Sequence, residues 1–218
     1  MPHYTEYRLE LDPILSIYCE SHTSPPRKEL DDIERKTNLT QVKRMDASDM
    51  LQGRLLSLFS HIIRPELIVE IGTFTAYATG CLTEGLSPTG KIISIENKEL
   101  HKETIINHLI SLKISDRVDM RFGDAKDILP EINQQIDMVF IDAAKHEYQT
   151  FFDLVIDKVR SGGLIIADNT LWKGRVLVEQ KDKMATSVDQ FNKSMLDDGR
   201  VEVLVLPYRD GISIIRKK

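Results

Sequence analysis

The chain has 218 residues, 41% hydrophobic and 29% charged, enough for one α/β domain with a full core and not clearly enough for two. Twenty-nine Lys and Arg against 34 Asp and Glu give a net charge of −5, which argues against a general nucleic-acid surface and leaves Arg216–Lys218 as a solvated tail. Cys19 and Cys81 make no disulfide framework, the N-terminus lacks a signal-peptide pattern and no apolar run approaches a membrane span, so a cytoplasmic protein without a membrane partner is expected.

Asp12–Cys19 reads as a helix with Asp12 as N-cap, Pro13 at the first helical position, and Ile14, Leu15, Tyr18 and Cys19 on one face. The HTSPP segment at 22–26 stops it, and a second helix is expected from about Arg27 to Thr37. Both precede the first strand, so residues 1–45 are read as a helical extension and 46–218 as an α/β core, within one domain. Asp49–Ile63 is a core-facing helix carrying Leu51, Leu55, Leu56, Phe59 and Ile62, ended before Pro65. Met45, just ahead of it, is either a gap-filling side chain or a ligand contact.

Leu67–Gly72 is a strand, followed by Thr73–Tyr77 and the helical segment Ala78–Leu86. A strand, a tight glycine turn and a helix start form a nucleotide-sized pocket. Gly72 has no second glycine two residues on, where a pyrophosphate needs close backbone approach, and this counts against a dinucleotide. Backbone N–H groups hold a carboxylate there while Glu70 attracts a cation, which together fit an amino-acid zwitterion bearing a sulfonium. Lys91–Glu96 is the next strand, and Glu96 stands about 20 residues past the turn, the usual place for a partner of ribose hydroxyls. Taken alone, Glu96 is equally a solvated strand-end acid. Leu100–Leu112 is an amphipathic helix, Val118–Phe122 a third strand, Gly123–Ala125 a turn and Ile128–Ile132 a short helix.

Met138–Ile141 and Leu164–Ala167 are short apolar runs that read as buried parallel strands, with Tyr148, Phe151, Phe152, Val155 and Val159 at helical spacing between them. A right-handed crossover places such strands close together, with neighbours about 4.8 Å apart. Asp142, Asp168 and Asn169 then emerge on one carboxyl edge, with Lys145 three residues beyond Asp142. Oxygen-only donors suit a hard divalent cation, Mg²⁺ before Mn²⁺ or Ca²⁺. Each residue singly is as well explained as a cap or turn; the four together point to a site. Trp172, the sole tryptophan, lies on the following loop, placed to pack a flat substrate. Ala185–Met195 is helical, and Val201–Leu206 with Gly211–Arg216 form a closing antiparallel pair through Pro207–Asp210, where Tyr208 is a candidate pocket residue.

The strings LIVEIGTFTAYATGCLTEGL, FIDAAKHEYQTFFD, SGGLIIADNTLWKGRV and VEVLVLPYRDGISIIRK resemble the metal-dependent O-methyltransferases of the catechol and caffeoyl-CoA type. The resemblance runs from about Leu30 to Arg216. It implies a Rossmann-like, seven-stranded class I methyltransferase sheet, mostly parallel with an antiparallel C-terminal strand and helices on both faces. It further implies S-adenosylmethionine bound by Met45, Glu70, Gly72, Thr73, Tyr77, Ala78, Glu96, Asp124, Ala125 and Asp142, with the adenine at the Ala125 region. The metal falls to Asp142, Asp168 and Asn169, catalysis to Lys145 as general base with Asp142, and acceptor contacts to Lys145, Asn169, Trp172 and Tyr208. A homodimer is implied too, the N-terminal extension contributing to its interface and covering the active site.

Four positions depart from the family pattern. Ala76 and Ala78 stand where relatives usually carry Gly and Ser, which leaves only backbone donors for the cofactor carboxylate. Ala144 replaces an Asp usual in enzymes acting on coenzyme A esters, and Lys173 an Asn frequent in plant members. These favour a small free catechol, such as a dihydroxybenzoate or dihydroxycinnamate, over a coenzyme A thioester. A short nicotinamide-dependent oxidoreductase shares the βαβ start and Glu96, but it leaves Asp168–Asn169 unused and lacks both the glycine fingerprint and a Tyr-x-x-x-Lys pair. A non-catalytic protein that retains the pocket does not account for the metal set and Lys145.

Overall fold

The computed structural model describes residues 13–40 and 49–218; Met45, expected at the cofactor, lies outside them. Strands β1 (Leu67–Ile71), β2 (Lys91–Glu96), β3 (Val118–Phe122), β4 (Ile136–Ile141), β5 (Val159–Asp168), β6 (Val201–Leu206) and β7 (Ile212–Lys217) form one seven-stranded sheet in the order β3-β2-β1-β4-β5-β7-β6. β7 runs antiparallel to β5 and β6, and the pairs from β3 to β5 are parallel.

Parallel strands covered on both faces read as continuous apolar runs, and β1 is buried along its whole length. Alternation then sorts its side chains. Ile68, Met138, Phe140 and Ile166 pack into one core with helices α2 (Lys28–Thr40), α3 (Met50–Ile63), α4 (Tyr77–Thr83) and α5 (Lys102–Ser111). Val69, Ile71, Val139, Ile141 and Ile165 face the other core, with α6 (Ala125–Ile128), α7 (Tyr148–Val155) and α8 (Lys183–Asp197). The chain winds outward from β1 to β3 and returns to β4 beside β1, so the order reverses there and leaves a crevice at the carboxyl ends of β1 and β4.

Two expectations are corrected. Val159 is not on the crossover helix: α7 stops at Val155, and Val159 pairs with Ile136 at the start of β5. β5 therefore begins five residues before Leu164 and passes a register shift at Ile136/Met138, where Gly162 takes φ 78°. In α3, Ile62 is 66% exposed, and the buried stripe is Gln52, Gly53, Leu56, Ser57 and Ser60, three of the five polar. In α1 (Pro13–Ser21), Ile14, Leu15 and Tyr18 are all exposed in the single chain. Among the described residues no helix is long and apolar enough to cross a membrane.

Candidate active site

The register Ile141↔Ala167 carries β4 and β5 to one edge together, so Asp142 and Asp168 leave the sheet side by side, as their spacing predicts. Tyr148, fully buried on α7, ties the two strand ends by donating its hydroxyl to the carbonyls of Asp168 (2.9 Å) and Ile141 (3.3 Å). Asn169 takes φ 55°, a left-handed conformation that Asn tolerates, and its N–H donates back to Asp168 Oδ1 at 2.7 Å.

Lys145 Nζ donates to Asp142 Oδ1 at 2.6 Å. Burial opposes its charge, but the carboxylates of Asp142 and Asp168 outweigh burial and raise its pKa above the ordinary lysine range. Asp168, 4% exposed, is pushed up to about 6, first by burial and then by the charge of Asp142, against the pull of Lys145 and a hydrogen bond from Gln52. Asp142 and Asp168 are close enough to raise each other's cost of ionising, and of the two Lys145 hydrogen-bonds Asp142. Together with the Asn169 amide the two carboxylates are a hard-oxygen donor set, which fits a small divalent cation. Among the described residues no group of three or more His, Cys, Asp or Glu forms a metal cluster, so the amide is integral to this candidate.

Along the same edge lies a cavity of about 390 Å³ bordered by Gly72, Glu96, Ala125, Asp142, Lys145 and Asn169, in the size range of small-ligand pockets. Asp124 and Trp172 also line it. Asp124 caps α6, accepting from Lys126 N at 2.9 Å. Glu96, at the end of β2, accepts from the N–H groups of Phe74 and Lys98, both at 2.9 Å, which fixes its carboxylate and leaves lone pairs for ligand hydroxyls. Trp172, Lys173 and Gly174 take φ 47°, 56° and 73° in succession, so the loop after the candidate ligands is a strained left-handed turn.

A smaller cavity beside it is lined by Gly72, Thr73, Tyr77 and Ala78, with Asp142 and Glu34. Thr73 Oγ1 hydrogen-bonds Ser94 Oγ at 2.6 Å. Glu70 lines neither cavity. It is fully buried below them, with Oε2 accepting from Thr79 (2.6 Å) and Ser94 (2.5 Å) and Oε1 without a partner. Burial pushes its pKa up to about 7 despite those two hydrogen bonds. Glu70 thus braces the turn from within, and the groups that face the cavities for an amino-acid-bearing nucleoside are the Gly72–Thr75 turn, Asp142 and Glu96.

Tyr208 borders neither cavity; its hydroxyl donates to Asp49 Oδ1 at 2.8 Å. Several residues at the site escaped the sequence reading. Glu34 sits on α2, which had been read only as part of an extension. Asp210 borders the cavity and accepts from the N–H of Lys173, and Gln52 and Arg209 reach Asp168 or its partners. The available signal was a Gln on the Leu56 face of a helix and an Arg-Asp pair in a turn; neither is distinctive alone.

A doubly wound sheet of this strand order, with a single-glycine turn and an acidic β2 end, defines a class I methyltransferase fold. The O-methyltransferase family profile matches residues 20–218, and the chain belongs to that family as an S-adenosylmethionine-dependent enzyme. It is similar to caffeoyl-CoA O-methyltransferase 1 of Eucalyptus globulus, 29% identical over 178 residues that span 76% of this chain and 72% of the relative. Among solved structures, the O-methyltransferase from Bacillus cereus in complex with SAH superposes with a TM-score of 0.85 at 26% identity, covering 94% of this chain and 97% of the other. TomG from Streptomyces achromogenes, an O-methyltransferase involved in tomaymycin synthesis and solved with SAM, gives 0.86 at 24% identity over 94% and 96%.

Proposed function

We propose that this enzyme methylates one hydroxyl of a catechol-type small molecule, with a divalent cation, Mg²⁺ before Mn²⁺ or Ca²⁺, held by Asp142, Asp168 and Asn169. The observation that carries the reading is that Asp142, Asn169 and Lys145 border the cavity that Gly72, Glu96 and Ala125 also border, with Asp168 buried at the strand end beside Asp142. When bound, the cation supplies Lewis acidity toward the acceptor hydroxyls, and S-adenosylmethionine supplies the electrophilic methyl group. Glu96 orients the ribose, the Ala125 region meets the adenine, and the backbone from Gly72 to Ala78 receives the methionine end. Trp172 gives the ring of the acceptor a flat wall. Fixing donor and acceptor in line contributes much of the rate.

Lys145 takes the hydroxyl proton in this reading. In the arrangement described it is charged and paired with Asp142, so it acts as a base only where those carboxylates are engaged elsewhere. The absence of a second acid at Ala144 favours a small free catechol over a coenzyme A ester, while the caffeoyl-CoA relatives favour the ester. A homodimer would cover the exposed apolar side chains of α1. The deciding experiment is turnover of free catechols and caffeoyl-CoA with S-adenosylmethionine and Mg²⁺, with and without EDTA. Activity on at least one acceptor, abolished by EDTA and by Asp168→Ala, is expected. Turnover indifferent to EDTA would remove the cation from the mechanism and leave the methyltransferase standing.

A further inference from the structure

Helix α3 turns a glutamine toward the sheet where an apolar residue would be ordinary. Gln52 has no exposed surface, and its Nε2 donates to Asp168 Oδ2 at 2.8 Å. Its Oε1 accepts from Arg209 Nη1 at 2.7 Å. Arginine offers only donors, so the amide has one workable orientation, oxygen toward Arg209 and nitrogen toward Asp168. Arg209 is held in turn by Asp49, whose Oδ2 lies 3.4 Å from its Nε. Asp49 Oδ1 accepts from the Tyr208 hydroxyl at 2.8 Å and from the Gln52 backbone N–H at 2.9 Å, the latter being the N-cap bond of α3. A closed relay thus runs from Asp49 through Arg209 and Gln52 to Asp168, anchored on a helix cap and on the β6–β7 turn. Arg209 keeps φ 50° within it, a left-handed backbone held by these bonds.

Charge balance alone does not require Gln52. Lys145 already supplies a positive charge to Asp168, and Asn169 N–H already occupies Oδ1. A neutral amide on Oδ2 adds direction instead: it fixes the plane of the carboxylate, and with it the remaining lone pairs.

We propose that Gln52 is a positioning residue for the divalent cation, orienting Asp168 and itself oriented by Arg209. This rests on the reading of Asp142, Asp168 and Asn169 as cation ligands. Outer partners of metal ligands typically change affinity about 10–100-fold when lost, and that is the effect expected here.

The test is Mn²⁺ binding to the full chain, followed by the paramagnetic resonance of free Mn²⁺ without acceptor or turnover, with S-adenosylhomocysteine affinity measured in parallel. Gln52→Met, which keeps the volume and loses the hydrogen bond, is expected to weaken Mn²⁺ by about 10–100-fold with S-adenosylhomocysteine affinity unchanged. Arg209→Met frees the amide to turn and is expected to weaken Mn²⁺ less. The double variant should be no weaker than Gln52→Met alone, because Arg209 acts through Gln52. Should Gln52→Met not fold, Gln52→Leu, which likewise loses the hydrogen bond at similar volume, takes its place in the same measurement. Mn²⁺ affinity that depends on Asp168 but is the same in Gln52→Met and Arg209→Met overturns the positioning role alone. Affinity indifferent to Asp168→Ala overturns the cation site, and this proposal with it.

Discussion

Gly72 is the residue at which substitution has the plainest consequence. Its φ is 96°, its N–H donates to Ile95 O at 2.9 Å, and a Cβ there would lie 2.1 Å from the carbonyl oxygen of Asp142. The obstacle is backbone, held in turn by the bond from Asp142 N–H to Ile71 O, so no side-chain rotation relieves it. Left-handed strain of about 1–3 kcal/mol adds to an overpacking cost of about 1–3 kcal/mol. Gly72→Ala is therefore expected to lose about 2–6 kcal/mol in urea unfolding and to displace Asp142, weakening both S-adenosylhomocysteine and Mn²⁺. A loss under about 0.5 kcal/mol, the range of an inconsequential surface change, would show that the turn has room the structure denies. Ala76, four residues on, holds φ 61° without glycine's freedom. The fingerprint glycine announces itself in the sequence; the strain at Ala76 does not, since nothing about an alanine reveals its φ.

Among the elements, β4 shows how the sheet is fastened away from the chemistry. Asp137, near its start, accepts at Oδ2 from the N–H groups of Glu66 (2.8 Å) and Leu67 (3.0 Å), and at Oδ1 from Arg160 Nε at 2.6 Å. One side chain thus joins the entry of β1 to the start of β5. Each charged hydrogen bond contributes about 1.5–3 kcal/mol where buried and less where wet. With Arg160 one-third exposed, Asp137→Ala is expected to cost about 2–4 kcal/mol. Thermal or urea melts measure that loss, while KM and kcat at a temperature where the variant is folded should stay within about twofold, the strand's carboxyl end being untouched. A selective fall in kcat would mean that β4 transmits strain along its length. The same strands mark how far the sequence could be read. Continuous apolar runs bounded by polar residues marked their existence, because a parallel strand buried on both faces is apolar along its length, while their order in the sheet came from the structure. Their ends were less legible. Val159 fits helical spacing after Val155 yet pairs with Ile136, since tertiary pairing beats a four-residue interval. In α3, counting apolar residues put Ile62 inward and missed Gln52, because the buried stripe carries polar groups that have specific partners across the fold. Those partners, 116 and 157 residues away in the chain, cannot be inferred from local periodicity.

Glu70 sets a pH dependence for the stability of the molecule. β1 buries it with Ile68, Val69 and Ile71 around it, and burying apolar side chains contributes about 1.5–3 kcal/mol each, enough to carry a carboxyl group that prefers water. Desolvation raises its pKa from 4.5 to about 7, partly offset by hydrogen bonds from Ser94 and Thr79. The sign is opposite to that of a salt-bridged acid. Between pH 4.5 and about 7 the folded state holds the proton that the unfolded chain has released, so folding binds more protons and stability falls as pH rises through that window. At about 1.4 kcal/mol per pKa unit the full effect is about 3 kcal/mol, complete above pH 7 and absent below 4.5. Asp168 acts in the same direction over a lower window, and the half-buried Asp198 and exposed Glu202, whose pKa values are lowered by Arg200 and Arg216, act in the opposite direction at lower pH still. Urea unfolding of the ligand-free protein at pH 5 and 7.5, compared with Glu70→Gln, isolates the Glu70 share. The wild type should lose about 2 kcal/mol more than the variant over that interval. Parallel slopes for the two proteins would mean that Glu70 is ionised in the folded state throughout, and that Thr79 and Ser94 suffice to hold its charge beneath the cofactor turn.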